Sequence, residues 1–257
     1  MFSCLNIVDA SNFTLDCDYS GSIFNKYESC FSYCILLTEL PKLSKNNYSS
    51  FTYMFQGCTS LKRIPNNYLQ NSTKLYNKCY SHMFDGCTSL TTLPSNLIQA
   101  TTMDDYCCDY MFNGCTSLTT LPSNLLPATT LSSSCYSYMF NGCTSLTTIP
   151  NLPATTLSSS CYSNMFQGCS SLVKTPDGWI LKAQTTNTYS CYAMFNNCTN
   201  LQKIAVAYSG TITASHWSNF LYNVSKTGTF YYSKNQTKEN IKSIVPSGWT
   251  LVQSTGW

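Results

Sequence analysis

Hydrophobic and polar positions alternate along this chain in one block that returns again and again. Met-Phe-x-Gly-Cys-Thr-Ser-Leu begins at Met54, Met83, Met111 and Met139, then recurs with small changes at Met165 and Met194. The steps between these methionines are 29, 28, 28, 26 and 29 residues. A degenerate copy, Cys30-Phe31-Ser32-Tyr33-Cys34-Ile35-Leu36-Leu37, precedes them, and a weak one follows at Phe220-Leu221-Tyr222-Asn223-Val224. Periods of this length mark a stacked array, in which a single unit cannot bury its apolar side and terminal units look atypical. Seven to eight turns of a solenoid are predicted.

Each unit reads as short strand, loop, short helix and tight turn. In Ser132 to Gly142, Ser suits a helix start, Gly142 suits a left-handed end, and Cys135, Met139 and Cys143 fall four apart, as on one helix face. Leu146-Thr147-Thr148-Ile149-Pro150 favours a short strand that proline ends. The expected fold is therefore α/β: a right-handed leucine-rich-repeat solenoid with short parallel strands and short helices. Residues 1–29 are expected as an N-terminal cap, 30–227 as the array and 228–257 as a C-terminal cap. Phe13, Phe24 and Tyr27 would close one end, and Phe230, Tyr231 and Trp249 the other. At about 4.8 Å per strand the array is roughly 35 to 40 Å long.

A helix ending in Met-Phe-x-Gly-Cys, followed by x-x-Leu-x-x-Leu-Pro, resembles the BspA-like leucine-rich repeats of bacterial surface proteins. Variants of these occur in gut Bacteroidales and their phages. The resemblance covers about Cys30 to Val224, and Gly228-Thr229-Phe230-Tyr231 with Pro246-Ser247-Gly248-Trp249-Thr250 resembles the segment that closes such arrays. It implies adhesion: binding to host matrix, cell surface or receptor. The expected localisation is accordingly a virion or a bacterial cell surface.

Composition narrows the partner. Charged residues are only 10% of the 257, and the net charge of +3 comes without a basic run of the kind that marks a nucleic-acid footprint. From Lys78 to Lys174 no Lys or Arg intervenes, while Asp85, Asp104, Asp105 and Asp109 fall there. A surface rich in Ser, Thr, Asn and Tyr suits neutral partners such as a surface glycan or a protein receptor, and other virion or surface proteins are further expected partners. No apolar segment approaches the roughly 20 residues that span a bilayer, so membrane insertion is not expected. Met1 to Asn12 shows no basic segment followed by an apolar one, so no signal peptide is expected in this stretch, and Cys4 lacks the surroundings expected of a lipoprotein cleavage site.

Chemistry is sparse. Of the sixteen Cys, eleven recur at fixed repeat positions, Cys58, Cys87, Cys115, Cys143, Cys169 and Cys198 in the turn and Cys79, Cys107, Cys135, Cys161 and Cys191 before the Met. Periodicity argues for buried thiols, with disulfides between turns or a metal as alternatives. Cys108 breaks the period and is the expected exposed thiol. His82 occupies a variable repeat slot, and Asp104, Asp105 and Asp109 read as a solvated loop or weak cation site. No enzyme and no cofactor are expected. The sequons, among them Asn47-Tyr48-Ser49 and Asn71-Ser72-Thr73, are chance products of a Ser/Thr/Asn-rich chain.

The candidate binding residues lie beside the repeat leucine. Arg63, Thr92, Thr120, Thr148, Lys174 and Lys203 stand at the same place in successive units, next to Leu93 or its equivalents, which are Leu or Ile in every case but Thr175; with these inward, strand alternation turns the row outward on a concave ladder. A Tyr-rich helix side, with Tyr110, Tyr138 and Tyr162, is the second candidate surface.

Overall fold

Successive repeats pair with one another, each with the next along the chain, and the result is a parallel β-solenoid of about nine turns. The computed structural model describes residues 6–15, 27–43, 50–69, 73–183, 187–210 and 212–254. Strand β1 (Thr14–Leu15) pairs with β2 (Lys42–Leu43), and β3 (Lys74–Leu75) with β4 (Thr102–Met103). A four-stranded sheet closes the described chain, β5 (Leu181–Ala183), β6 (Lys203–Tyr208), β7 (Gly228–Ser233) and β8 (Trp249–Ser254), in sequence order and all parallel. Elsewhere the strands shrink to single parallel bridges such as Thr92↔Thr120, Thr130↔Thr156 and Lys174↔Lys203. Pro94 and Pro122 follow directly after Leu93 and Leu121 and lack the N–H that a longer ladder requires. β3 and β4 lie instead in the stretch after the proline corner, which the sequence reads as a mere connection.

The helices expected before each Gly-Cys are absent among the described residues. In their place every fourth residue takes a left-handed backbone: Ser134 at φ 54°, Tyr138 at 54° and Gly142 at 70° in one coil, with Lys78, His82 and Gly86 or Ser160, Asn164 and Gly168 doing the same in others. Such residues break an α-helix. They leave a run of turns whose N–H groups alternate in direction. Ser137 donates to Ser134 O at 3.1 Å and Asn141 to Tyr138 O at 3.1 Å within the coil. Tyr138 donates to Ser163 O, Phe140 to Met165 O and Gly142 to Gln167 O, at 2.7 to 2.9 Å, in the next coil. Half of this backbone is thus satisfied only by stacking. A left-handed residue costs about 1–2 kcal/mol, which the second set of bonds offsets. Glycine fills one of these columns at Gly57, Gly86, Gly114, Gly142 and Gly168, while Tyr33, Asn197 and Asn223 fill it in the outer coils.

Inside, identical side chains stack as ladders. Phe31, Phe55, Phe84, Phe112, Phe140, Phe166 and Phe195 form one column with ring centroids 5.4 to 5.7 Å apart. It ends where Phe220 meets Phe195 edge-on, at 89° between planes. Leu61, Leu90, Leu118, Leu146, Leu172 and Leu201 make a second fully buried column. At the N-terminal end, Tyr27 is buried and stacks on Phe51, but Phe13 is exposed and Phe24 lies outside the described residues. At the other end Phe230 and Trp249 are buried and Tyr231 is half-buried, on strands that continue the sheet for two further coils. The described helices are short, α1 (Ala214–Trp217) and α2 (Lys238–Lys242), and none is long and apolar enough to cross a membrane.

Candidate functional site

Strand alternation places the threonine row outward as the sequence implies. Leu93 and Leu121 are buried while their neighbours Thr92 and Thr120 are exposed and bridge in parallel. Their hydroxyls have no hydrogen-bond partner among the described residues. Thr148 differs, because its half-buried hydroxyl accepts the Leu121 N–H at 3.3 Å. The adjacent column is also spent: Thr91, Thr119 and Thr147 each donate to a backbone carbonyl of the preceding coil, at 2.9 to 3.4 Å. Two unspent hydroxyls one coil apart therefore form the centre of this flank.

The basic residues at its ends are not free. Arg63 pairs with Glu39 at 3.0 Å, and Lys174 and Lys203 share Asp177 at 3.2 and 3.3 Å. Hydrogen bonds from Lys174, then Lys203, hold the Asp177 carboxyl below its usual range. Exposed pairs of this kind add little stability, but their two carboxylates offset two of the three cationic charges that the sequence suggests. The flank is close to neutral from Glu39 to Lys203. A second exposed threonine row, Thr102, Thr130 and Thr156, lies on the strand after the proline corner, where Lys74 pairs in register with Thr102. Sequence reasoning overlooked it by treating that stretch as linker.

The second candidate surface divides. Tyr162 is buried, at 1% exposure, and stacks on the equally buried Tyr136 at 6.2 Å, so it belongs to the core and is withdrawn as a binding residue. Tyr110 and Tyr138 are half-buried and stack at 4.5 Å in a column that continues through His82 to Tyr53. Burial, then the neighbouring Tyr138, raises the Tyr110 hydroxyl to about 12. Within this column the rings cover one another's faces, leaving mainly edges and hydroxyls to a ligand. Beside them runs a polar ladder: Gln56 and Asn113 donate to Asp85, Asn141 donates to Asn113, and His82 Nδ1 lies 2.8 Å from Asp85.

The remaining chemical groups are mostly spoken for. Asp104 pairs with Lys74 at 3.4 Å, and Asp105 accepts the Ser133 N–H at 2.9 Å. Asp109 is not in a solvated loop: it is buried in the column otherwise held by Thr52, Ser81, Ser137 and Ser163, and its Oδ1 has no partner. Burial raises its carboxyl above the ordinary value of 3.8, against the opposing pull of Ser81, His82 and Lys78. Between the unfolded value and the raised folded one, the native chain holds the extra proton, so stability falls as pH rises through that window and stays lowered above it. Asp109→Ser is therefore expected to stabilise the protein at pH 7, by on the order of 1 kcal/mol for an unsatisfied buried group. The gain should shrink as pH falls toward 3.8. Thermal melts of both proteins across pH 3 to 8 check this, and an unchanged difference at all pH values would refute it.

Cys108 is fully buried rather than exposed, and burial raises its thiol. It stands in the column of Tyr80, Tyr136 and Tyr162, three residues before the Met, and Cys191 shares that place. All 14 described Cys are free thiols, and no group of three or more His, Cys, Asp or Glu among the described residues is placed to hold a metal. No family model and no curated protein matches this chain.

Proposed function

We propose that the chain is a non-enzymatic recognition module, an adhesin or receptor-binding protein whose threonine flank binds a surface glycan or a surface protein. The observation that carries this reading is the pair of unspent hydroxyls at Thr92 and Thr120 on a regular, nearly neutral flank. A repeated ligand can meet the same donor and acceptor once per coil, at about 4.8 Å. The repeat's resemblance to BspA-like proteins supports a leucine-rich-repeat type of coil, right-handed, displayed on a bacterial surface or on a phage tail or head fibre.

The test is a glycan array and a pull-down with the whole chain, followed by two variants. Thr120→Ala removes one hydroxyl and should weaken binding only about two- to tenfold, as one net hydrogen bond allows. Thr120→Lys should abolish binding while the melting temperature holds, because the side chain is exposed. Unchanged affinity in Thr120→Lys with loss in Tyr138→Lys would move the site to the stacked aromatic face and end the threonine-flank reading.

A structural role in a larger particle is the second reading, favoured by the ladder of Tyr53, His82, Tyr110 and Tyr138 with its interlocked Asp85, Asn113 and Asn141. Side chains that satisfy each other along the axis stiffen a spacer and leave little for a ligand. Labelling of a Thr120→Cys variant in the assembled particle separates the two. An accessible site supports recognition, and a covered one supports docking.

A further inference from the structure

The turn-run that stacks coil upon coil has a direction, and its last member is left with donors unused. At the final interface Ala193, Phe195 and Asn197 donate their N–H groups to Ser218, Phe220 and Tyr222 carbonyls at 2.9 to 3.0 Å. The equivalent residues in the last turn-run are Asn219, Leu221 and Asn223, of which Asn219 and Asn223 keep the left-handed backbone. Their N–H groups find no acceptor among the described residues, although Leu221 is only 3% exposed. In every earlier coil the same positions bond a backbone carbonyl.

These donors face a cleft of about 310 Å³. Asn219 to Asn223 form one wall, with Tyr222 exposed at the rim; Ser243, Ile244, Val245 and Pro246 form the other. The far wall is largely apolar. Ser243 to Pro246, the segment just after α2, line the cleft with the last turn-run, and none of their carbonyls accepts from its free N–H groups.

We infer that this cleft binds a short polypeptide segment, which supplies the carbonyls of the missing coil. The donors alternate along the chain at 219, 221 and 223, so the bound segment presents carbonyls of alternate residues along one edge, as the turn-runs of the earlier coils do, and sends side chains to the opposite side. Small apolar side chains on that side would meet Ile244 and Val245. This site lies at the end of the array and is independent of the threonine flank.

The probe is the blocked tripeptide N-acetyl-Val-Ala-Val-amide, titrated into the 15N-labelled whole chain, with sodium acetate as a parallel titrant. The amides of Asn219, Leu221 and Asn223 should exchange fast in the free protein, while those of Ala193, Phe195 and Asn197 are protected. Saturating peptide should shift the first three and slow their exchange by about tenfold, the effect of one net hydrogen bond each. Val245→Trp, which fills the cleft, should remove the response without changing the far-ultraviolet spectrum. Slow exchange at the three amides in the free protein, no saturable shift with peptide, an equal response to acetate, or a full response in Val245→Trp would each overturn the inference.

Discussion

Phe112→Ala is expected to cost about 3–5 kcal/mol and to split the unfolding of the chain into two steps. The ring is fully buried, with Phe84 and Phe140 each 5.6 Å away and nearly coplanar in orientation, at 1° and 6°. Removing it therefore breaks two ring contacts and opens a cavity in the middle of the column. In a nearest-neighbour array, a break at the centre uncouples what lies on either side. The four tryptophans stand at 179, 217, 249 and 257, so Trp fluorescence follows only the C-terminal half, while circular dichroism follows the whole chain. In the unaltered protein the two urea transitions should coincide, and in Phe112→Ala they should separate. Phe31 at the end of the column has one ring neighbour among the described residues, Phe55, so Phe31→Ala should cost less without splitting the transition. Equal losses for the two variants would show that the column does not act as a stack.

The repeat itself, the inward leucines and the outward threonines are legible in the sequence because each depends on local alternation. Gly142 takes the left-handed backbone that its position before Cys143 suggests. The helix expectation failed for a physical reason. A turn-run with a left-handed residue every fourth position places Cys135, Met139 and Cys143 on one side just as a helix would. Sequence spacing alone does not separate the two. What betrays the turn-run is its hydrogen bonding, since alternate N–H groups leave for the next coil.

The candidate flank was legible only up to its partners. The alternation that turned Thr92 and Thr120 outward also turns Glu39 outward, one coil before Arg63 in the same row, but it says nothing of Asp177, which reaches Lys203 from 26 residues away in sequence, across an inter-coil register. Misplacing a column by one residue had larger consequences. Counting Cys191 with Cys161 hid the fact that it shares the column of Tyr162, and the same shift made Cys108 look superfluous. In the structure Cys108 takes a tyrosine's place, and the core is completed from the adjoining strand. Met103, where other coils carry Leu75, Leu131 and Leu157, brings its sulfur within 3.9 Å of the Tyr136 hydroxyl. A small residue in one column is matched by a longer one in the next.

Alkylation should find the buried thiols almost inert in the native protein and fully reactive once it is unfolded. Six of them, Cys58, Cys87, Cys115, Cys143, Cys169 and Cys198, lie 3.0 to 3.3 Å from a Phe carbonyl of an earlier coil, where the S–H donates a second hydrogen bond to that oxygen. Burial raises Cys143 from 9.0 to about 12, and Cys161 and Cys198 likewise. Three units lower the thiolate fraction roughly a thousandfold, before any loss of access is counted. Iodoacetamide at pH 8, followed by peptide mass mapping, should therefore leave the 13 buried Cys unmodified, with the half-buried Cys30 the first of the described thiols to react. Cys4 and Cys17 lie outside the described residues and are read separately in the map. Cys108 should be as slow as Cys107, since both are fully buried. Early labelling at Cys108 would mean that the coil around Asp109 opens in solution. Thiols that stay unreactive after denaturation without reductant would mean that the columns hold disulfides, and the packing account of the cysteines would fall.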